Sequence, residues 1–92
     1  MVGQRVIVRT YSAGVHYGTL MARDGREVML ANARRIWSWA GANTLHEISL
    51  RGVGKGSRVS EPVESILLTE AIEVIVCAAA GSAVMDGATW GS

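Results

Sequence analysis

The chain has 92 residues, a net charge of +1 and an aromatic set of three tryptophans and two tyrosines without phenylalanine. A domain of this length buries only about 60% of the surface its unfolded chain exposes, so one domain over residues 1–92 is expected, with self-association as a further source of burial. Ordinary apolar content with few charges excludes a disordered tail, and the absence of an apolar run of about 18 residues excludes a membrane-spanning helix.

Taken in chain order, Arg5 to Tyr11 is short, β-branched and alternating, as a strand requires. Ser12-Ala13-Gly14 supplies a turn, and His16 to Ala22 returns as a second strand. Asp24-Gly25 is a hairpin signal, and a third strand runs from Glu27 to about Leu30. Its continuation through Ala31-Asn32-Ala33 to Trp39 either prolongs the sheet across a bulge or forms a helical turn. Thr44-Leu45-His46-Glu47 has the form of a capping box, in which the Thr side chain and the Glu three residues on serve free backbone amides. Gly52 can end that helix in a left-handed conformation, and Leu45 and Ile48 lie on its docking face. A flexible loop follows from Gly52 to Ser57. From Val63 to Cys77 the β-branched density favours two strands meeting at a bend near Thr69-Glu70, with a helix over Ser65 to Ile72 as the alternative. Ala78 to Met85 has a short helical composition despite Gly81, and Ala88-Thr89-Trp90 is an edge strand or a docked terminus. The sum is a small α+β domain: an antiparallel sheet of about four to six strands, able to curl toward a barrel, with one or two short helices.

Charge is unevenly spread. Residues 1–58 hold nine basic and three acidic side chains, a net of +6, and residues 59–92 hold five acidic ones. The two signs describe either an anion-binding face set against an acidic one, or charges that meet within the fold or across a subunit contact.

Catalytic constellations are missing: neither a nucleophile elbow, nor a zinc-binding His-Glu-x-x-His, nor a dinucleotide-binding glycine fingerprint occurs. His16 and His46 read as surface or turn histidines, because metal binding or general-base work needs convergent partners. The single Cys77 lies among apolar neighbours, as a buried thiol does. The chain is therefore read as a non-enzyme without cofactor or metal, and, because the start of the sequence lacks the pattern of a signal peptide, a cytoplasmic protein is expected.

The stretch Asn32-Ala33-Arg34-Arg35-Ile36-Trp37-Ser38-Trp39 stands out. If extended, it puts Arg35, Trp37 and Trp39 on one face and Arg34, Ile36 and Ser38 on the other. An indole plane beside a guanidinium suits a base and its phosphate. The competing reading makes the tryptophans core or subunit-contact anchors with Arg35 lying over them.

Three stretches in the same order, Val8 to His16, Asn32 to Ala42 and Leu68 to Glu73, resemble a family of small single-domain phage and prophage proteins of unknown function. The resemblance implies the cytoplasm of an infected bacterium as the setting, and brings no activity or catalytic residue with it. By analogy of setting, the expected function is a homo-oligomeric anti-defence sponge that sequesters a nucleotide-derived immune signal, a cyclic oligonucleotide or a cyclic ADP-ribose derivative. In such a site Trp37 or Trp39 would stack on a base, Arg9, Arg34 and Arg35 would hold phosphates, and Tyr11, His16 and Tyr17 would add hydrogen bonds. A virion or host-protein interaction module, and a nucleic-acid binder, are the alternatives; the near-neutral overall charge weighs against the last.

Overall fold

A computed structural model describes residues 1–90. Three antiparallel strands form the expected meander: β1 (Arg5–Thr10), β2 (Val15–Asp24) and β3 (Glu27–Ser38). After helix α1 (Leu45–Arg51) come the two-residue strand β4 (Arg58–Val59), then β5 (Val63–Leu68), β6 (Ala71–Val76) and helix α2 (Ala79–Gly87). Both β4 and β5 run antiparallel along the same edge of β3, β4 on Ile36–Ser38 and β5 on Val28–Ala33. They are in effect one strand interrupted at Ser60-Glu61-Pro62. The Thr69-Glu70 bend then carries the chain to the far side, where β6 pairs with β1. Two backbone bonds pin that corner, from the Tyr11 amide to the Glu70 carbonyl and from the Ala71 amide to the Arg26 carbonyl, each 3.0 Å. The sheet is thereby curled without closing.

The extended reading of residues 31–39 is the one the chain adopts, and the bulge is at Asn32. Tyr17 pairs with Arg34 and Thr19 with Ala31, so β3 spends one residue more than β2 there, and Asn32 takes a φ of +50°. Asn is among the few non-glycine residues that tolerate that conformation.

Two apolar clusters result. Val6, Val8, Leu20, Val28, Leu30, Ala33 and Leu68 fill the inside of the curl. On the outer face, Ile7, Tyr17 and Ile36 pack against Leu45 and Ile48 of α1 and Met85 of α2. Each fully buried side chain of this size contributes about 1.5–3 kcal/mol. The docking of α1 through Leu45 and Ile48 is as expected. Its cap is a variant: Thr44 Oγ1 accepts from the Glu47 amide at 3.2 Å, but the Glu47 carboxylate reaches back to the Asn43 amide, at 3.0 Å, one residue before the usual position. Gly81 explains how so weak a helix sequence is held, because a β-carbon there would lie 2.3 Å from the Ser49 carbonyl oxygen. Its lack of a side chain lets α2 press onto α1.

Among the described residues no helix is long and apolar enough to cross a membrane.

Candidate functional site

Alternation in β3 sorts the arginine and tryptophan stretch as the sequence implies, as far as Trp37. Arg34 and Ile36 are buried, while Arg35 and Trp37 are exposed. A register shift then intervenes between Ile36 and Ser38 where β4 joins, and Trp39 lies beyond the strand. The face shared by Arg35 and Trp37 is therefore not carried to Trp39 by strand geometry.

Arg34 points under α2. Its Nε donates to the Ser60 carbonyl at 2.8 Å, Nη1 to the carbonyls of Met85 at 2.7 Å and Asp86 at 3.3 Å, and Nη2 to that of Ala88. A planar guanidinium spans several acceptors at once, and a cation suits the negative end of a helix. Arg34 is thus the C-terminal cap of α2, supplied from the sheet. Beside it, the Tyr17 hydroxyl, buried in the outer-face core, accepts from Arg5 Nε at 3.0 Å and lies 2.9 Å from Asp86 Oδ1 and 3.2 Å from the Ser82 carbonyl. Arg5 also donates to Thr19 Oγ1 at 2.9 Å, pairs with Asp86, and lies 4.5 Å above the centre of the Tyr17 ring. Burial pushes the Tyr17 hydroxyl's pKa up, against the pull of the Arg5 hydrogen bond.

Arg35 lies on the opposite side, at the open β1–β2 turn. Its Nη2 donates to the Ala13 carbonyl at 2.5 Å, and its guanidinium lies against Gly14, whose β-carbon position is 3.1 Å away. Gly14 has a φ of +82°, which a side chain rarely adopts. The same Ala13 carbonyl accepts from His16 Nε2 at 2.8 Å. His16, expected at the surface or in a turn, is instead a buried strand residue, since it pairs with Val8 and Arg35 in adjacent strands. Burial, with a smaller push from Arg35, holds its pKa below the ordinary range, partly opposed by the bond to Ala13. Arg9 pairs with Glu73 at 3.3 Å, and Tyr11 is exposed. Cys77 is half-buried, and burial pushes its thiol up to about 11, away from nucleophilic use.

The eight residues singled out from sequence do not form one site. Arg34 and Tyr17 belong to the support of α2; Arg9, Tyr11, His16 and Arg35 gather around the β1–β2 turn and the edge of β6; Trp37 and Trp39 sit near the end of β3. The aromatic surface is completed by a residue outside those eight. Trp90 forms an isolated antiparallel bridge with Arg58, its ring centroid is 6.4 Å from that of Trp37, and the Arg58 guanidinium stands 5.5 Å from its ring centre. Trp90 also borders an open cleft of about 610 Å³ lined by Asn32, Arg34, Glu61, Asp86 and Ala88 among others. Of the eight, only Arg34 lines this cleft. The sequence marks Trp90 as an edge strand or docked terminus, which its bridge to Arg58 bears out, but not as part of a site, because its partner strand, β4, is too short to be read from pattern. No group of three or more His, Cys, Asp or Glu side chains is placed to hold a metal ion among the described residues.

Residues 3–85 match a family described as Domain of unknown function (DUF6948), and the chain belongs to that family. No curated protein and no solved structure matches it.

Proposed function

We propose that the protein is a phage-encoded, non-enzymatic binding protein that sequesters a nucleotide-derived immune signal, a cyclic oligonucleotide or a cyclic ADP-ribose derivative, in the cytoplasm of the infected host. The observation that carries this reading is the cleft of about 610 Å³ bordered by an exposed indole with a guanidinium over it. That volume falls within the range of small-molecule sites. A base stacked on Trp90 would contribute about 1–3 kcal/mol. The phosphate grip falls to Arg58 and not to Arg9, Arg34 or Arg35. Arg34 is committed to four carbonyls and Arg5 to Asp86, whereas Arg58 at the Trp90 ring can meet a phosphate at the rim. Asn32 and Glu61 in the lining supply hydrogen-bonding groups for a base edge.

Native mass spectrometry against cyclic dinucleotides, cyclic ADP-ribose derivatives and short linear oligonucleotides tests this. Retention of a cyclic nucleotide, weakened about 10- to 100-fold by Trp90→Ala, supports the reading. Retention of none of them overturns it. The interaction-module reading is favoured by a different observation, the bare apolar surface of β3 and β5, where Met29, Val63 and Leu67 are exposed.

A further inference from the structure

We infer that the free edge of β5 is where two copies of this chain join, by antiparallel strand addition about a two-fold axis at Ser65. The inference is independent of any ligand.

The composite β4–β5 strand pairs with β3 on one side only. Its outer edge is occupied at Arg58 by the bridge to Trp90, and from Val63 to Leu68 no strand lies on that side among the described residues. Exposed edges in soluble proteins are usually blunted by lysine, internal proline or a bulge. The run Val63-Glu64-Ser65-Ile66-Leu67-Leu68 has none of these: Pro62 stands just before it, and Glu64 is its one charge. The sheet beside it is also uncovered. Helices α1 and α2 pack over Ile7, Tyr17 and Ile36, whereas Met29 and its cross-strand neighbour Leu67 stay 41% and 52% exposed.

The occupant follows from the sequence of the edge itself. A two-fold axis normal to a continuous antiparallel sheet passes through a residue pair, because directly opposed side chains share a face. Centred on Glu64, it would set two carboxylates against each other, which is unfavourable. Centred on Ile66, it would set Glu64 against Leu68 and Ser65 against Leu67. Centred on Ser65, it sets Val63 against Leu67 of the partner subunit twice over and Ser65 against itself, with Glu64 opposite Ile66 rather than opposite its own copy. The exposed apolar residues of the outer face then meet one another, and the chain's net charge of +1 offers little repulsion between copies.

Cysteine placement tests both the contact and its register. In a Cys77→Ala background, Ser65→Cys puts two thiols on directly opposed positions, whose β-carbons lie about 4.5–5.5 Å apart, and mild oxidation should link the chains covalently. Val63→Cys alone places the thiols roughly 13 Å apart along the strand and should not link them, while Val63→Cys with Leu67→Cys should. Light scattering on the unaltered chain should give twice the 9.8 kDa of one copy, and Leu67→Glu should return it to one copy with an unchanged circular dichroism spectrum. A monomeric mass for the unaltered chain, a mass above the dimer, or linking of Val63→Cys as efficient as that of Ser65→Cys would overturn the inference.

Discussion

Arg34 and Arg35 are chain neighbours with the same side chain, and the fold gives them opposite work. Arg34 lies under α2 and is saturated by four backbone carbonyls, so its guanidinium is part of the frame. Arg35 lies over the β1–β2 turn, exposed, with one backbone acceptor for its side chain in Ala13. A strand alternates its faces, so adjacent cations in β3 had to be divided between two environments. A doubled arginine in a strand is two separate residues, and burial decides which of them is structural.

The sharpest way to break this contrast is to remove each in turn. Arg34→Ala leaves the carbonyls of Ser60, Met85, Asp86 and Ala88 without their donor, and hydrogen bonds to charged groups contribute about 1.5–3 kcal/mol each in mutational series. Allowing for water entering the space, a loss of about 3 kcal/mol is expected in urea unfolding. Arg34→Lys should recover little of it, since an ammonium cannot span acceptors as a planar fork does. Arg35→Ala should cost about 0.5 kcal/mol, in the range of surface changes. Equal losses for the two alanine variants would mean that the division between frame and surface is wrong.

How much of this was legible in the sequence depends on the range of the interaction. Local signals read correctly: the turns at Gly14 and Gly25, the cap at Thr44, the bend at Thr69-Glu70, and the alternation from Arg34 to Trp37. What alternation cannot say is which face is buried. That is decided by Met85, Asp86 and Ala88, more than fifty residues further on, which exist as a set of acceptors only because α2 ends there. The charge asymmetry was similarly readable in outline. Arg5 meets Asp86 and Arg9 meets Glu73, so basic and acidic ends of the chain pair within the fold. Which charges pair depends on the β1–β6 register and on where α2 docks, and neither has a local signature. The aromatic cluster is legible in part: Trp37 lies in the arginine and tryptophan stretch, while Trp90 joins it only through a two-residue strand that carries no periodicity.

Smaller changes sharpen the comparison within each region. On the buried side, Tyr17→Phe removes the hydroxyl that contacts Arg5, Asp86 and Ser82 while keeping the ring in the core. A loss of about 1.5 kcal/mol is expected, from one buried hydroxyl with a charged partner. On the turn side, Gly14→Ala forces a side chain into the left-handed region and against the Arg35 guanidinium, for a loss of about 1 kcal/mol. Combining it with Arg35→Ala separates the two causes. If the backbone dominates, the cost of Gly14→Ala persists without Arg35; if the contact dominates, most of it disappears.

The smallest expected effect concerns protons and belongs to the turn side alone. His16 is buried, donates from Nε2 to the Ala13 carbonyl, and shares that carbonyl with Arg35. Burial, and then the charge of Arg35, hold its folded-state pKa below the 6.5 of a free histidine. Below about pH 6.5 the unfolded chain therefore binds a proton that the folded chain resists, and where the unfolded state binds more protons, stability falls as the pH falls. The decline begins near the unfolded pKa and levels off below the folded one. Unfolding free energies measured from neutral pH down through this window should fall for the unaltered chain, and the fall should be shallower in His16→Gln. Arg35→Ala should also make it shallower, by removing the cation that a protonated His16 would face across Ala13, whereas Tyr17→Phe, on the other face, should leave the slope of this window unchanged. A slope that Tyr17→Phe alters as much as Arg35→Ala would show that the two faces of β3 are coupled, and that the division drawn from Arg34 and Arg35 does not extend to their surroundings.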